Sequence, residues 1–299
     1  MNSEVGFVGL GTMGLPMTRM LAEHGIVVLA YDTDWAVCER AEAIAGVQIA
    51  ASLAEIAARV GVLFTCLPND RIVRGAYLGE GGIAEAIAAG AITVDCSTIS
   101  PAVTRRIDAA LAEKGVRHRD AAMLGSLPQA EAGEIGFVVG GDPHAFEEIA
   151  PLLDILGRFR KFAGPAGAGN QIKLIHQMLV AANAVAVAES VALCLATGTD
   201  LDAFYEVVCE GGGFAYSRYF EKRVPRMRAG DFTPLFMLSL MTKDIMLSQG
   251  LARNAKVGTP LLDRVVETFM QAGQENWGAE DFSAVAHLYE AAIGRKFGE

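Results

Sequence analysis

Lys173 and Gln177 stand four residues apart in the run Gly167-Ala-Gly-Asn-Gln-Ile-Lys-Leu-Ile-His-Gln177. At helical spacing the ammonium and the amide share one face, in the company of Ile172, Leu174, Ile175 and Met178. An ammonium among apolar side chains costs free energy unless an anion or a reacting oxygen meets it. Such a lysine either runs its stem along the apolar surface to water or exchanges a proton with a bound reactant. His176 lies three residues beyond the lysine, on roughly the same face, and competes for the proton; we place it in the pocket but not as the base.

A second group lies upstream, at Gly9-Leu10-Gly11-Thr12-Met13-Gly14. This G-x-G-x-x-G follows a short apolar run from Glu4 and opens a helical pattern, Leu15 to His24, with Pro16 in its first turn. The first glycine allows a tight turn, the second lets a pyrophosphate approach the backbone, and the third lets helix and strand pack closely. Free amides at the helix start then receive the phosphate charge. Asp32 closes the next strand, Ile26 to Tyr31, near the spacing of about 20 residues expected for the acid that grips the adenosine ribose. A carboxylate there accepts ribose hydroxyls and repels a 2′-phosphate, so NAD is favoured over NADP.

Further strands at Val60–Cys66 and Ala91–Asp95 end in the turns Leu67-Pro68 and Ser97-Thr98, which a doubly wound sheet puts beside the nicotinamide. The second turn leads into a helix expected from Ala102 to Lys114, with Ser100 or Thr98 as possible cap, and simple capping serves equally well as the role of Ser97 and Thr98. Strands are also expected at Val116–Ala122, Gly136–Gly140 and Arg158–Phe162. Between the first two, Met123 to Gly133 contains a glycine turn able to present backbone amides to a carboxylate, or simply to connect.

Beyond Gly164-Pro-Ala-Gly-Ala-Gly169, which reads as a linker, strand signals vanish. A long helix from about Asn170 to Thr197 is followed by helical patterns only. The expected architecture is α/β then all-α: an NAD-binding Rossmann domain over 1–164, then a helical substrate and oligomerisation domain over 165–299 that begins with a long interdomain helix.

The chain has 299 residues, 52% hydrophobic and 20% charged, enough for two cores. A net charge of -10 argues against nucleic acid or an anionic membrane as partner. Five scattered cysteines without C-x-x-C suggest neither disulfides nor zinc, and with no secretory signal at the N-terminus a reducing cytoplasm fits best. No acidic or histidine cluster has metal-ligand spacing. The apolar stretch Met178–Ala188, interrupted by Asn183, is too short to span a bilayer. Its Ala181-to-Ala188 run offers the small side chains of a close helix contact, so a homodimer or homotetramer is expected.

Across nearly its whole length the chain resembles the β-hydroxyacid dehydrogenases, the family of 3-hydroxyisobutyrate, tartronate semialdehyde and threonate enzymes. The resemblance is carried by Gly9–Met17, Asp95–Pro101, Asp120–Gly133, Gly167–Gln177, Lys243-Asp244 and Pro260-Leu261. It implies that Lys173 is the catalytic lysine, that Lys243 lines the cofactor cleft, and that Phe236 is an aromatic near the substrate, if not ordinary core. Gln177 and His176 stand where the family usually has asparagines. Leu124-Gly125-Ser126 stands where it usually reads Ser-Gly-Gly, which removes a hydroxyl and puts 3-hydroxyisobutyrate itself in doubt as substrate. The implied reaction is reversible oxidation of the 3-hydroxyl of a small carboxylic acid, or reduction of the corresponding semialdehyde. Four-carbon sugar acids such as threonate are the nearest match. An imine reductase on the same fold and a non-catalytic nucleotide sensor are the alternatives, and retention of Lys173 weighs against both.

Overall fold

A computed structural model describes residues 4–299. The chain forms two compact units that meet within one helix, the first ending at Lys173 and the second running from Leu174 to Glu299.

The first unit alternates strand and helix: β1 (Glu4–Val8), α1 (Gly14–Glu23), β2 (Val27–Tyr31), α2 (Trp35–Glu42), β3 (Val47–Ile49), α3 (Leu53–Arg59), β4 (Val62–Thr65), α4 (Asp70–Leu78), α5 (Ile83–Ala86), β5 (Ile92–Asp95), α6 (Pro101–Ala112), β6 (Arg117–Leu124), α7 (Leu127–Glu131), β7 (Ile135–Gly141), α8 (Pro143–Leu156) and β8 (Gly157–Gly164). Its sheet has the order β3-β2-β1-β4-β5-β6-β7-β8. Every neighbouring pair is parallel except β6 with β7. Strand residues alternate between two cores, as the two-residue period of a strand demands. Val5 and Phe7 of β1 and Phe64 of β4 join one core with α1 and α8, while Val8 and Leu63 join the other with α3, α4 and α6. Helices on both faces of a mostly parallel sheet make this a doubly wound Rossmann-type unit. The chain reverses its winding between β1 and β4, and the ends of β1, β2, β4, β5 and β6 emerge at one edge.

The helix α9 (Ala168–Ala196) starts in the first unit and continues into the second. There follow α10 (Leu201–Glu210), α11 (Arg218–Arg228), α12 (Leu238–Asn254), α13 (Pro260–Gln274) and α14 (Ala286–Ile293). By length and composition α9 is long and apolar enough to cross a membrane, which the shorter window Met178–Ala188 understates. Ala181, Ala184, Ala188, Val191 and Ala192 instead pack in one core with Phe220, Leu238, Ile245, Val265, Phe269 and Val285.

Several elements escape the sequence reading, although their caps were legible. Ser52 caps α3 by accepting the Glu55 N–H at 3.1 Å, and Glu55 reaches back to accept the N–H of Ala51, just before the cap, at 2.7 Å. Asn69 caps α4 by accepting the Ile72 N–H, and Asp142 caps α8 by accepting those of His144 and Ala145. The expected linker is a packed junction. Gly167 takes φ +88°, and a side chain at Gly169 would come within 2.4 Å of the Val138 carbonyl oxygen. Glycine is needed there for close approach rather than for flexibility.

Candidate active site

The glycine turn between β1 and α1 separates three roles. Gly9 has φ +92°, and a Cβ on it would lie 2.3 Å from the Cys66 carbonyl oxygen; one on Gly14 would lie 1.9 Å from that of Gly9. Both are therefore required by the protein itself. At Gly11 a Cβ would meet no protein atom within 4 Å, so the protein sets no steric demand there and the position is open to a group lying against the backbone. That division fits a dinucleotide pyrophosphate at the helix start, where Met13 supplies no side-chain cap for the amides. Leu10 is buried beneath the turn, and Thr12 is exposed on it. Asp32 accepts the Leu10 N–H at 2.7 Å and the Asp34 N–H at 2.9 Å, which ties the turn to the end of β2. A cavity of about 520 Å³ beside Leu10, Gly11 and Thr12 is lined also by Arg19 and Arg40, two cations that belong to no sequence motif.

The ends of β4 and β5 are joined by a buried polar chain. The Thr65 hydroxyl donates to Asp95 Oδ1 at 2.8 Å and sits 3.0 Å from the Tyr77 hydroxyl, and the Ser97 N–H reaches the same carboxylate oxygen at 3.1 Å. Burial pushes the Asp95 carboxyl up to about 6, against the pull of hydrogen bonds from Ser97 and Thr65. Ser97 is buried, and its hydroxyl accepts the Leu67 N–H at 2.8 Å. It thus fastens the two turns together, and Thr98, half-buried beside it, is the more open of the pair; Pro68 is exposed.

At the end of β6, Leu124 is half-buried and Gly125 takes φ +146°. Ser126 spends both its N–H and its hydroxyl on Gln129 Oε1, each at 2.9 Å, to cap α7. Of the amides expected to meet a carboxylate, that of Ser126 is therefore already engaged.

Asp120, buried in β6, receives the N–H groups of Gly167 and Asn170 at 2.8 Å each. Burial raises its carboxyl and these amides oppose the shift. Lys173 follows on α9 with only 7% of its surface exposed.

Two family models cover the chain: the NAD-binding domain of 6-phosphogluconate dehydrogenase over residues 4–167, and the NAD-binding segment of NADP-dependent 3-hydroxyisobutyrate dehydrogenase over 167–289. The NAD-dependent L-serine dehydrogenase of Pseudomonas aeruginosa is 32% identical, over 98% of this chain and 99% of its own. The L-threonate dehydrogenase of Cupriavidus necator is also 32% identical, over 97% of each. The chain belongs to the β-hydroxyacid dehydrogenase family. The solved 3-hydroxyisobutyrate dehydrogenase of Mycobacterium tuberculosis, with L-serine, superposes with a TM-score of 0.88 at 28% identity, covering 96% of this chain and 99% of that one. This β-hydroxyacid dehydrogenase is an NAD(P)-binding oxidoreductase of the 3-hydroxyacid type.

In its second unit, buried Gln177 donates from Nε2 to Asp244 Oδ2 at 2.8 Å, and Lys243 Nζ lies 2.9 Å from Asp244 Oδ1 as an ion pair. Asp244 thereby fixes which way the Gln177 amide faces and holds Lys243 beside it. Sequence reading notes Asp244 only as the neighbour of Lys243, because its amide partner comes from a helix distant in sequence. His176 is exposed, with Nδ1 3.3 Å from Gln177 Oε1. Phe236 is half-buried, its N–H 3.2 Å from Asp281 Oδ2 and its ring edge-on to Phe282. The buried Asp281 also takes the N–H groups of Leu235 and Ser283, so it builds the loop that holds Phe236.

Proposed function

We propose that the chain reversibly oxidises the 3-hydroxyl of a small, polar hydroxycarboxylic acid with NAD, Lys173 acting as general acid and base. The observation that carries this reading is Lys173 itself, an ammonium buried on α9 a few residues after the amides that Asp120 holds. When bound, nicotinamide supplies the hydride acceptor. Lys173 takes the hydroxyl proton in oxidation and returns it in reduction. Thr98 and the turn at Leu124-Gly125 receive the substrate carboxylate, with Ser97 and Ser126 shaping those segments from behind. Gln177, aimed by Asp244, orients Lys173 and the substrate oxygen, with His176 at the rim and Phe236 as an apolar wall. Gly9 to Gly14, Asp32, Leu67, Pro68 and Lys243 hold the cofactor, and the Asp32 carboxylate favours NAD over NADP.

Relatives that act on serine and on threonate support a short acid with a further polar group, and threonate is the first candidate. We assign the cofactor domain to 1–164, the helical domain to 165–299, and the whole to a cytoplasmic homodimer or homotetramer. Exposed Ile172, Ile175, Leu179 and Leu193 on α9 support self-association.

The test has two arms. NAD reduction is followed with threonate, erythronate, 3-hydroxyisobutyrate, glycerate, 4-hydroxybutyrate and serine, and Lys173→Met is compared with the native chain while NAD binding is measured separately. Loss of turnover by a factor of 10² or more with binding retained is expected. Unchanged turnover with intact binding removes this lysine from the chemistry.

A further inference from the structure

Asn170 has both ends of its side chain engaged and no exposed surface. Its Oδ1 accepts the Ile99 N–H at 3.2 Å, and its Nδ2 donates to Thr104 Oγ1 of α6 at 3.2 Å. Its own N–H goes to Asp120 Oδ2, and the N–H of Gly167 goes to Oδ1 of the same carboxylate. These are amides that a helix start leaves without internal partners, and a carboxylate there also meets the positive end of the helix dipole. The surrounding glycines have the small size this demands. A Cβ on Gly140 would come within 2.4 Å of Asp120 Oδ1, and one on Gly169 within 2.8 Å of Oδ2.

Three consequences follow from this arrangement. The backbone of the segment after β5 is pinned at Ile99, directly after Thr98. The first turn of α9 is pinned at Gly167 and Asn170. Lys173 lies three residues beyond Asn170, on the same side of the helix. One amide side chain therefore links the segment assigned to the substrate carboxylate with the segment that carries the proton-transfer group.

We propose that Asn170 is a positioning residue for the reaction: it sets the spacing between Thr98 and Lys173, and Asp120 braces it. This rests on the reading of Lys173 as the acid and base. Proton transfer requires heavy atoms within about 3 Å, and a misplacement of about 1 Å costs on the order of 10² in rate. A side chain that held the fold alone would leave the folded enzyme's rate unchanged when lost. Asn170 instead controls the rate per folded site.

The experiment uses the fastest acid of the six above with NAD, and compares the native chain with Asn170→Ala, Thr104→Val, Thr104→Ser and Lys173→Met. Thr104→Val keeps the shape of the α6 partner and deletes its hydroxyl; Thr104→Ser keeps the hydroxyl. For Asn170→Ala we expect kcat lower by 10- to 100-fold and substrate KM raised, with the Kd for NAD within twofold of native. Thr104→Val moves kcat in the same direction by a smaller factor, and Thr104→Ser returns it to near native. Should Asn170→Ala not fold, the Thr104 pair carries the comparison alone. The proposal is overturned if Lys173→Met is inactive while Asn170→Ala or Thr104→Val turns over per folded site as the native chain does. If Lys173→Met keeps full turnover, the reading of the lysine fails first and this one with it.

Discussion

At the scale of single residues, the first lesson concerns buried carboxyls. Asp95 titrates near 6 in the folded chain, with burial the main cause, against about 3.9 when unfolded. The folded state thus holds a proton that the unfolded state gives up between those values. Stability drawn from that proton is present at low pH, is lost as pH rises from about 4 to about 6, and stays lost above. A shift of about 2 units corresponds to about 3 kcal/mol. Asp95→Asn keeps an acceptor for Thr65 and Ser97 and removes the charge. Its melting temperature relative to the native chain should therefore rise with pH across that window and plateau above it, as melts at pH 4.5 and 7.5 would show. An equal difference at the two values would mean that Asp95 titrates normally. The glycines make a sharper pair. Gly14→Ala must displace the Gly9 carbonyl and should unfold or strongly destabilise the turn, whereas Gly11→Ala meets no protein atom and should fold normally while binding NAD at least tenfold more weakly. Calorimetry of both variants decides it, and normal NAD affinity in Gly11→Ala would contradict the assigned path of the pyrophosphate.

At the scale of elements, the strands of the first unit were legible because a parallel strand buried on both faces reads as an unbroken apolar run. β1, β2, β4 and β5 all announce themselves in this way. β3 did not, since Val47-Gln-Ile49 is too short to show a pattern. The helices α3, α4 and α8 were missed although their signals were present: each has a side-chain cap, at Ser52, Asn69 and Asp142, and α8 also carries an apolar period in Phe146, Ile149, Leu153 and Leu156. The site was legible in part. Lys173, Gln177 and the glycine turn stand out by type and spacing, but Asn170, Asp120 and Asp244 act through partners dozens of residues away, which no local pattern encodes. Ser97 shows the converse, a hydroxyl conspicuous in its motif whose structural partner is the Leu67 amide. At this scale we expect Asp244→Ala to release both Gln177 and Lys243. Substrate KM should rise at least fivefold in steady-state kinetics with the fold retained, and an unchanged KM would detach this pair from substrate binding.

At the scale of the whole molecule, α9 presents two surfaces of different character. Its alanine- and valine-rich side fills the helical core, while Ile175 and Leu179 remain 55% and 61% exposed. The self-association proposed above would use this exposed apolar face. Leu179→Glu should therefore shift the sedimentation coefficient toward a smaller species, and an identical coefficient for both proteins would place any interface elsewhere. The five thiols form no disulfides, and Cys66 follows β4 half-buried with its backbone against Gly9. With Cys66 and Cys209 both half-buried, a maleimide reagent would label two peptides, and the one whose backbone lies against Gly9 should label more slowly as dinucleotide accumulates while the other serves as the internal reference. Occupancy could then be followed by mass spectrometry before any substrate is known.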